Sequence, residues 1–243
     1  MIERSYEFGG VVFRFRSRKP LLRHPQMEEF AVENREADYI FEISTKSEPK
    51  PPVSWRREGH TVFVQIQEDL LEKNSIKAYL TAANGAGLLV EQGRFILHAS
   101  FVLHKGEAIL FSAPSGTGKS TQAAFWKQCR GAVTVNEDRV ILKKQDGVYY
   151  ACGCWASGKS ADTHNVTAPV RAIVLLEQGE KNQVLHKSML EKLQLLLREC
   201  TFDEARQGSQ IMNLAADVLA AVPVIAYGCL NDPSAVEELE SYL

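Results

Sequence analysis

A glycine-rich segment in the middle of the 243-residue chain constrains the fold more than any other stretch. Residues 113–120 read APSGTGKS, and they lie between an apolar run at 109–111 (ILF) and a stretch of helical composition at 122–126 (QAAFW). Gly116 and Gly118 allow the positive φ angles of a tight turn. A strand, a glycine-rich turn and a helix in this order are typical of α/β proteins. The N–H groups of such a turn and of the helix N-terminus together bind anions.

This pattern assigns nucleotide contacts to a continuous set of residues. They are Pro114, Ser115, Gly116, Thr117, Gly118, Lys119, Ser120 and Thr121. In a phosphate-binding loop the lysine reaches the β- and γ-phosphates, and the hydroxyl that follows it ligates Mg²⁺. Lys119 and Ser120 hold these two positions. The complete pattern begins with glycine where this chain has Ala113, but that position lies at the strand exit and can accommodate a methyl group.

A second segment, residues 153–160 (GCWASGKS), satisfies the pattern G-x-x-x-x-G-K-[ST] at every position. Its surroundings do not suit a phosphate loop. Residues 161–169 (ADTHNVTAP) are rich in β-branched and turn-forming residues and end in proline, so they predict no helix. Trp155 would also place an indole ring where the loop contacts phosphate. We predict that this segment is either a polar connection between strands or a mobile loop that brings Lys159 to the nucleotide or the acceptor.

Two adjacent carboxylates follow about twenty residues after Lys119, in the segment 134–140 (TVNEDRV). A phosphoryl-transfer site needs a carboxylate for the metal and a base for the proton of the acceptor. Glu137 and Asp138 stand at the end of a short apolar run, which suits these roles. Asn-Glu-Asp is also a common turn composition, so an exposed β-turn is the alternative.

Three segments in a fixed order resemble the HPr kinase/phosphorylase family. They are His98-Ala99-Ser100, the loop APSGTGKST, and the segment 136–140 (NEDRV). The loop is also similar to that of phosphoenolpyruvate carboxykinase, which shares the superfamily fold. The resemblance implies an α/β protein with a mixed-sheet P-loop kinase core of this type and a small β-rich N-terminal region.

The resemblance also implies the chemistry of the site. ATP is the implied phosphoryl donor, with Mg²⁺ as the metal. Lys119 acts on the phosphates, Asp138 is the metal-linked carboxylate alongside Ser120, and Glu137 is the general base. His98 lies near the transferred phosphoryl group in this scheme, with a buried structural histidine as the alternative.

The chain departs from the family in ways that bear on the acceptor. Glu137 stands where the family segment A-D-D-R-V has its first aspartate, and the signature E-I-R-G-L-G is absent. Shorter relatives of the family modify peptides, including natural-product precursors. We therefore predict a kinase that transfers the γ-phosphoryl group of ATP to a Ser/Thr hydroxyl of a peptide or small protein. A kinase of a small-metabolite hydroxyl and a non-catalytic nucleotide-binding module are the alternatives.

The domain prediction is a β-rich region at 1–93 that ends in a helix, followed by a P-loop nucleotide-binding kinase domain at 94–243. In the first region, Asn84 and Gly85 weaken a helix that starts near Ile76. Apolar periodicity in the second region predicts strands at 95–103, 107–112, 133–135, 140–142, 148–151, 172–176 and 224–227, and helices at 121–128 and 188–199. Capping patterns at Thr201 and Ser234 predict two further helices.

Composition and charge narrow the choice of partners and compartment. The formal net charge of -2 gives no sign of binding to nucleic acid or to an anionic membrane. Five cysteines without a C-x-x-C pattern are typical of a reduced, cytoplasmic protein. No apolar run is long enough to predict a membrane span. The family resemblance leaves a homo-oligomer open.

Overall fold

The computed structural model describes residues 1–47, 51–71, 73, 75–156 and 163–243. The chain divides into two compact units, Met1–Gln92 and Gly93–Leu243. Each unit contains one mixed sheet with helices, so the predicted α/β class is confirmed at this level. The finer prediction, a P-loop kinase core, stays a prediction.

The first unit is built on a six-stranded sheet with strand order β3-β1-β2-β4-β6-β5. Its elements are β1 (Ile2–Phe8), β2 (Val11–Ser17), α1 (Pro25–Glu28), β3 (Ala31–Val32), β4 (Tyr39–Lys46), β5 (Val53–Glu58), β6 (Thr61–Gln67), α2 (Glu68–Leu71), α3 (Ile76–Ala82) and α4 (Gly85–Glu91). β2, β4 and β6 are parallel neighbours, and the other pairs are antiparallel.

Aromatic side chains fill the core of this unit, because alternate residues of a strand point to the same face of its sheet. Phe13 is fully buried and stacks on Tyr39 with ring centroids 5.7 Å apart. Phe15 packs against Phe41 at 4.9 Å. Neighbouring strands thus stabilise each other through aromatic contacts as well as backbone hydrogen bonds.

The helical stretch that starts at Ile76 divides at Asn84, where the sequence predicted a weak point. Asn84 has a left-handed φ of 55°, and its side chain accepts a hydrogen bond from the Gly87 N–H at 3.1 Å. A Cβ atom on Gly87 would lie 2.4 Å from the Asn84 side chain. This cap therefore needs glycine at position 87.

The second unit is built on a larger mixed sheet with main strand order β11-β10-β7-β8-β12-β15-β13. Its elements are β7 (Arg94–His104), β8 (Glu107–Ser112), α5 (Lys119–Arg130), β9 (Val133–Asn136), β10 (Arg139–Gln145), β11 (Val148–Cys152), β12 (Thr167–Gln178), β13 (Gln183–Val184), α6 (Met189–Arg198), β14 (Cys200–Thr201), α7 (Glu204–Ala221), β15 (Val224–Cys229) and α8 (Ser234–Glu240). The short strands β9 and β14 both pair with β7.

Five strands of this sheet form a closed ring. β7 pairs with β8 and β10, β8 pairs with β12, and β11 joins β10 to β12. The first half of β7, up to His98, pairs with β10, and the second half pairs with β8. His98 therefore lies where β7 changes partners.

Three parallel strands set the position of the site. β8 and β15 flank β12, and all three run in the same direction. Their carboxyl ends, at Ser112, Gln178 and Cys229, consequently lie at one edge of the sheet. In α/β sheets this edge is where ligands bind.

Two predicted capping roles are wrong. Thr201 belongs to β14 and pairs with β7, while the cap residue of α7 is Asp203, without a side-chain cap. Ser234 is the first residue of α8 and does not precede it; its hydroxyl donates to Asp232. Thr201 pairs with β7 as part of β14, so it does not cap α7. The helix begins after Asp203 instead.

No helix in the described ranges is both long and apolar enough to cross a membrane. None of the five cysteines, all of which the structure describes, forms a disulfide.

Candidate active site

The predicted glycine loop connects β8 to α5 at the carboxyl edge of the parallel strands. Gly116 and Gly118 have φ angles of 83° and 116°. Space does not require glycine at either position, because a Cβ there would meet no atom within 4 Å. The backbone angles do require it, since such φ values strain other residues. The loop is thus a turn that leads directly into α5, which begins at Lys119.

The Lys119 side chain folds back beneath its own loop. Its Nζ donates hydrogen bonds to the carbonyl oxygens of Ala113 at 2.7 Å and Pro114 at 3.2 Å. The residue is only 7% exposed, and this burial lowers the pKa of the ammonium. Glu199 and Asp138 are close enough to act against this shift by favouring the charged form. The loop carbonyl oxygens therefore bind the lysine ammonium, and the charges of Glu199 and Asp138 favour its protonated form.

The acidic segment forms a sharp bend between β9 and β10. Asn136 is fully buried, and its Oδ1 accepts hydrogen bonds from the backbone N–H groups of Asp138 and Arg139 at 3.0 and 3.2 Å. The Ser100 hydroxyl donates to the Glu137 carbonyl oxygen at 3.0 Å. The chain therefore turns at Glu137 and Asp138, between β9 and β10, but both residues are half-buried and the predicted alternative of an exposed turn holds only for the backbone.

The other end of the Asn136 amide holds the chain after β11. Its Nδ2 donates to the carbonyl oxygens of Cys154 and Ala156, each at 3.2 Å, and to the Thr163 hydroxyl at 3.0 Å. One buried side chain thus fixes the acidic bend and the start of the GCWASGKS segment together. A buried amide whose oxygen and nitrogen both form hydrogen bonds stabilises one conformation of the segments around it.

We expect Asn136→Ala to lower the free energy of unfolding by about 3 kcal/mol, because each buried polar group that loses its partner costs about 1–3 kcal/mol. Denaturant unfolding measures this change. Gln128→Ala, an exposed position on α5, is the control and should leave stability almost unchanged. A difference below about 1 kcal/mol between the two variants would show that the bend does not depend on this amide.

The GCWASGKS segment lies between two antiparallel strands. It begins just after β11, and the described chain resumes at Thr163, shortly before β12. In the described part of the chain the next element after the segment is β12 and not a helix, as the sequence predicted. Lys159 lies outside the described residues, so the choice between a polar connection and a mobile loop is unchanged.

His98 connects two carboxylates. Its Nδ1 lies 2.7 Å from Oε2 of Glu199, and its Nε2 lies 3.4 Å from Oδ1 of Asp138. The guanidinium of Arg139 contacts Oδ2 of Asp138 at 3.3 Å and also the Thr201 hydroxyl. His98 lowers the pKa of Asp138 most, Arg139 adds to this effect, and partial burial opposes it. Asp138 is therefore held as the carboxylate.

Glu137 differs from its neighbour. Its residue is half-buried, and within the described part of the chain its carboxylate makes neither a hydrogen bond nor an ion pair. A carboxylate at a bend, fixed through its backbone but free at its oxygens, can accept a proton from an incoming hydroxyl.

A cavity of about 320 Å³ adjoins the glycine loop at the carboxyl edge. Its walls are Gly116, Thr117, Gly118, Thr121, Gln122, Gln178, Gly179, Cys229, Leu230 and Asn231. Gln122 is 2% exposed, and its Oε1 has no hydrogen-bond partner in the described structure. The opposite end of this amide donates to the Leu230 carbonyl oxygen at 3.5 Å. The cavity can therefore hold a polar group beside the glycine loop, where the Gln122 oxygen would accept a hydrogen bond from it.

The predicted site residues lie in two places, a cluster of charged side chains and the cavity beside the glycine loop. His98 and Asp138 form one charged cluster with Glu199, and Lys119 is within electrostatic reach of its two carboxylates. Thr117 and Thr121 line the cavity, and Ser120 is exposed on the first turn of α5. Sequence reasoning missed Glu199 and Gln122, because neither belongs to a motif. The helical run at 188–199 was visible in the sequence, but nothing in it marked its last glutamate.

Comparisons with known proteins add a distant likeness. No family model and no curated protein matches the chain. Its structure is similar to that of the Hpr(Ser) kinase/phosphatase from Coxiella burnetii, with 17% sequence identity and a TM-score of 0.35. The match covers 60% of this chain and 94% of that chain. This is a distant resemblance of fold, and it assigns no functional residue.

Proposed function

We propose that this protein is an ATP- and Mg²⁺-dependent kinase that transfers the γ-phosphoryl group to a Ser/Thr hydroxyl of a peptide or small protein. One observation carries the proposal. A strand, a glycine turn and a helix place Lys119 at the carboxyl edge of three parallel strands, within electrostatic reach of the acidic pair at Asp138 and Glu199. Phosphoryl transfer requires this combination of anion-binding backbone, cation and carboxylate.

The donor occupies the glycine loop in this proposal. The N–H groups of the loop and of the first turn of α5 bind the phosphates. A phosphate entering the loop replaces the Ala113 and Pro114 carbonyl oxygens as the partner of the Lys119 ammonium. The adjoining cavity offers room for the nucleoside, which favours a nucleotide over inorganic pyrophosphate as donor.

The side chains present suit Mg²⁺. This ion prefers oxygen ligands and keeps several waters, so it needs only one or two protein groups besides the phosphates. The Ser120 hydroxyl and the Asp138 carboxylate are groups of this kind. No cluster of three or more His, Cys, Asp or Glu side chains within the described ranges forms a metal site by itself, so the ion would arrive with the nucleotide. When bound, it neutralises charge on the transferred group.

In the proposed reaction each site residue has its own role. Glu137 takes the proton from the acceptor hydroxyl, whose oxygen forms the new bond to the γ-phosphorus. The bond from that phosphorus to the bridging oxygen of ADP breaks. Lys119 stabilises the negative charge on the phosphates, and His98 holds Asp138 in place.

A transfer assay tests the function directly. The protein is incubated with Mg²⁺ and ATP labelled in the γ-phosphate, together with serine- and threonine-containing peptides or a pool of small hydroxyl compounds. Label on peptide supports the proposal. Label only on small compounds would make the protein a metabolite kinase, and ATP binding without any transfer would make it a nucleotide-binding module.

We expect Asp138→Asn to raise the Mg²⁺ concentration needed for half-maximal transfer by about tenfold or more. An amide lacks the anionic oxygen that a hard cation prefers. The measurement is a Mg²⁺ titration at saturating ATP. Asp217→Asn is a matched control, because Asp217 is an ion-paired carboxylate on α7, bonded to Lys144. Equal Mg²⁺ requirements for both variants would remove Asp138 from the metal site.

A further inference from the structure

Glu199 is the C-cap residue of α6, and it contacts His98 in two places. Its backbone carbonyl oxygen accepts a hydrogen bond from the His98 N–H at 2.8 Å, and its carboxylate lies 2.7 Å from His98 Nδ1. The backbone bond lies next to the pairing of β14 with β7, which fixes the register of the two segments. The contact between the two side chains is therefore set by the fold.

Exposure rises along the chain of contacts. The side chain of Glu199 is 10% exposed, that of His98 is 19% exposed and that of Asp138 is 32% exposed. The most buried group is the Glu199 carboxylate, and the most exposed is the Asp138 carboxylate.

We propose that Glu199 is a positioning residue for the phosphoryl-transfer site, a role that rests on the proposed kinase function. A carboxylate oxygen accepts hydrogen bonds, so in this 2.7 Å contact Nδ1–H of His98 is the donor. This contact and the backbone bond fix the ring, which places Nε2 3.4 Å from Oδ1 of Asp138. Glu199 thus sets the orientation of the imidazole, and through it the orientation of the carboxylate proposed to meet Mg²⁺.

The role predicts different behaviour for two substitutions. Glu199→Ala removes the acceptor and frees the ring. Glu199→Gln keeps an oxygen that can accept from Nδ1–H, so it should preserve the orientation without the charge. Residues that orient ligand-holding groups typically contribute about 10–100-fold in affinity or activity. We expect kcat of the alanine variant to fall by about that factor with KM for ATP little changed, and the glutamine variant to recover most of kcat.

The matched control is Glu240→Ala. Glu240 is also a partly buried carboxylate near a histidine, with Oε1 3.8 Å from His104 Nε2, but it pairs with Arg130 and belongs to none of the site elements. Its variant should transfer phosphate at the wild-type rate. A fall in kcat equal to that of Glu199→Ala would show a general effect of losing a buried charge and would overturn the proposal.

Proton NMR of the imidazole tests the positioning without any catalysis. The His98 Nδ1–H signal, assigned by its loss in His98→Gln, should be present in the wild-type protein and in Glu199→Gln and absent from Glu199→Ala. If the signal persists in Glu199→Ala, Glu199 does not fix the ring. If the signal is lost but kcat stays at the wild-type value, the orientation has no part in transfer. A wild-type protein that shows the signal but transfers no phosphate refutes the kinase function and leaves the contact itself established.

Discussion

Lys119→Ala is expected to abolish nucleotide-dependent phosphoryl transfer. In the structure the ammonium is buried under the glycine loop and bonded to two of its carbonyl oxygens, so it already lies beside the loop that is proposed to bind phosphate. No other lysine among the loop residues can replace it. Loss of a preorganised group that stabilises transition-state charge typically costs about 10²–10³-fold, and loss of the only loop cation should cost about 10³-fold or more. Single-turnover transfer from ATP measures the effect.

The control for this variant comes from the other glycine-lysine segment. Lys159→Ala changes a segment that matches the sequence pattern better but is followed by β12 and not by a helix in the described residues. Its ATP affinity, measured by calorimetry, should remain within a few-fold of wild type. ATP affinity that survives Lys119→Ala and disappears in Lys159→Ala would reverse the assignment of the two segments. Equal melting temperatures for both variants would show that the comparison concerns binding and not folding.

Glu137→Gln should bind ATP almost normally and transfer phosphate about 10²–10⁴-fold more slowly. Glutamine keeps the length and hydrogen-bonding capacity of the side chain but cannot take a proton. The bend should be unaffected, because it is held by Asn136 and by the Ser100 hydroxyl on the Glu137 backbone. Rates at saturating ATP and acceptor, with ATP affinity measured in parallel, separate the chemical effect from binding.

Glu137→Asp is the companion variant. It keeps the base and should retain appreciable activity, with the carboxylate drawn back toward the bend. If Glu137 only shapes the turn, both variants should transfer at the wild-type rate. Wild-type turnover in the glutamine variant would therefore show that Glu137 has only a structural role. It would also favour the alternative function, a non-catalytic nucleotide-binding module.

Local chemistry was sufficient to predict the elements around the glycine loop. β8 was predicted at 107–112 and is observed at Glu107–Ser112. The preceding turn explains this accuracy, since Lys105 and Gly106 both have positive φ and begin the strand sharply. The loop residues and the helix that follows are also local features, and a strand, turn and helix leave their signals in consecutive residues.

Elements that depend on distant partners were predicted poorly. The apolar run at 172–176 is only part of β12, which spans Thr167–Gln178. Its first residues are not a continuous apolar run, yet they are strand because β11 pairs with them. Propensity gives way to tertiary pairing at such positions.

The same limit applies to the site. His98, Lys119 and Asp138 could be proposed from motifs. Glu199 could not, because its partner lies 101 residues away and the strand beside it, β14, has only two residues. The buried amide of Gln122 was equally invisible, since its importance lies in an unpaired oxygen that only packing reveals.

The closed ring of five strands has a consequence for the order in which the second unit folds. β7, β8 and β10 are near neighbours in sequence, but the ring closes only when β12 returns to pair with both β8 and β11. Pairing strands that are far apart in sequence costs loop-closure entropy before any contact compensates for it. Folds with many such pairs therefore form slowly, in about milliseconds to seconds. His98 and Glu199 come from segments on either side of that closure. We therefore expect the contact between His98 and Glu199 to form late in folding, after the glycine loop and its flanking strand and helix have their local structure.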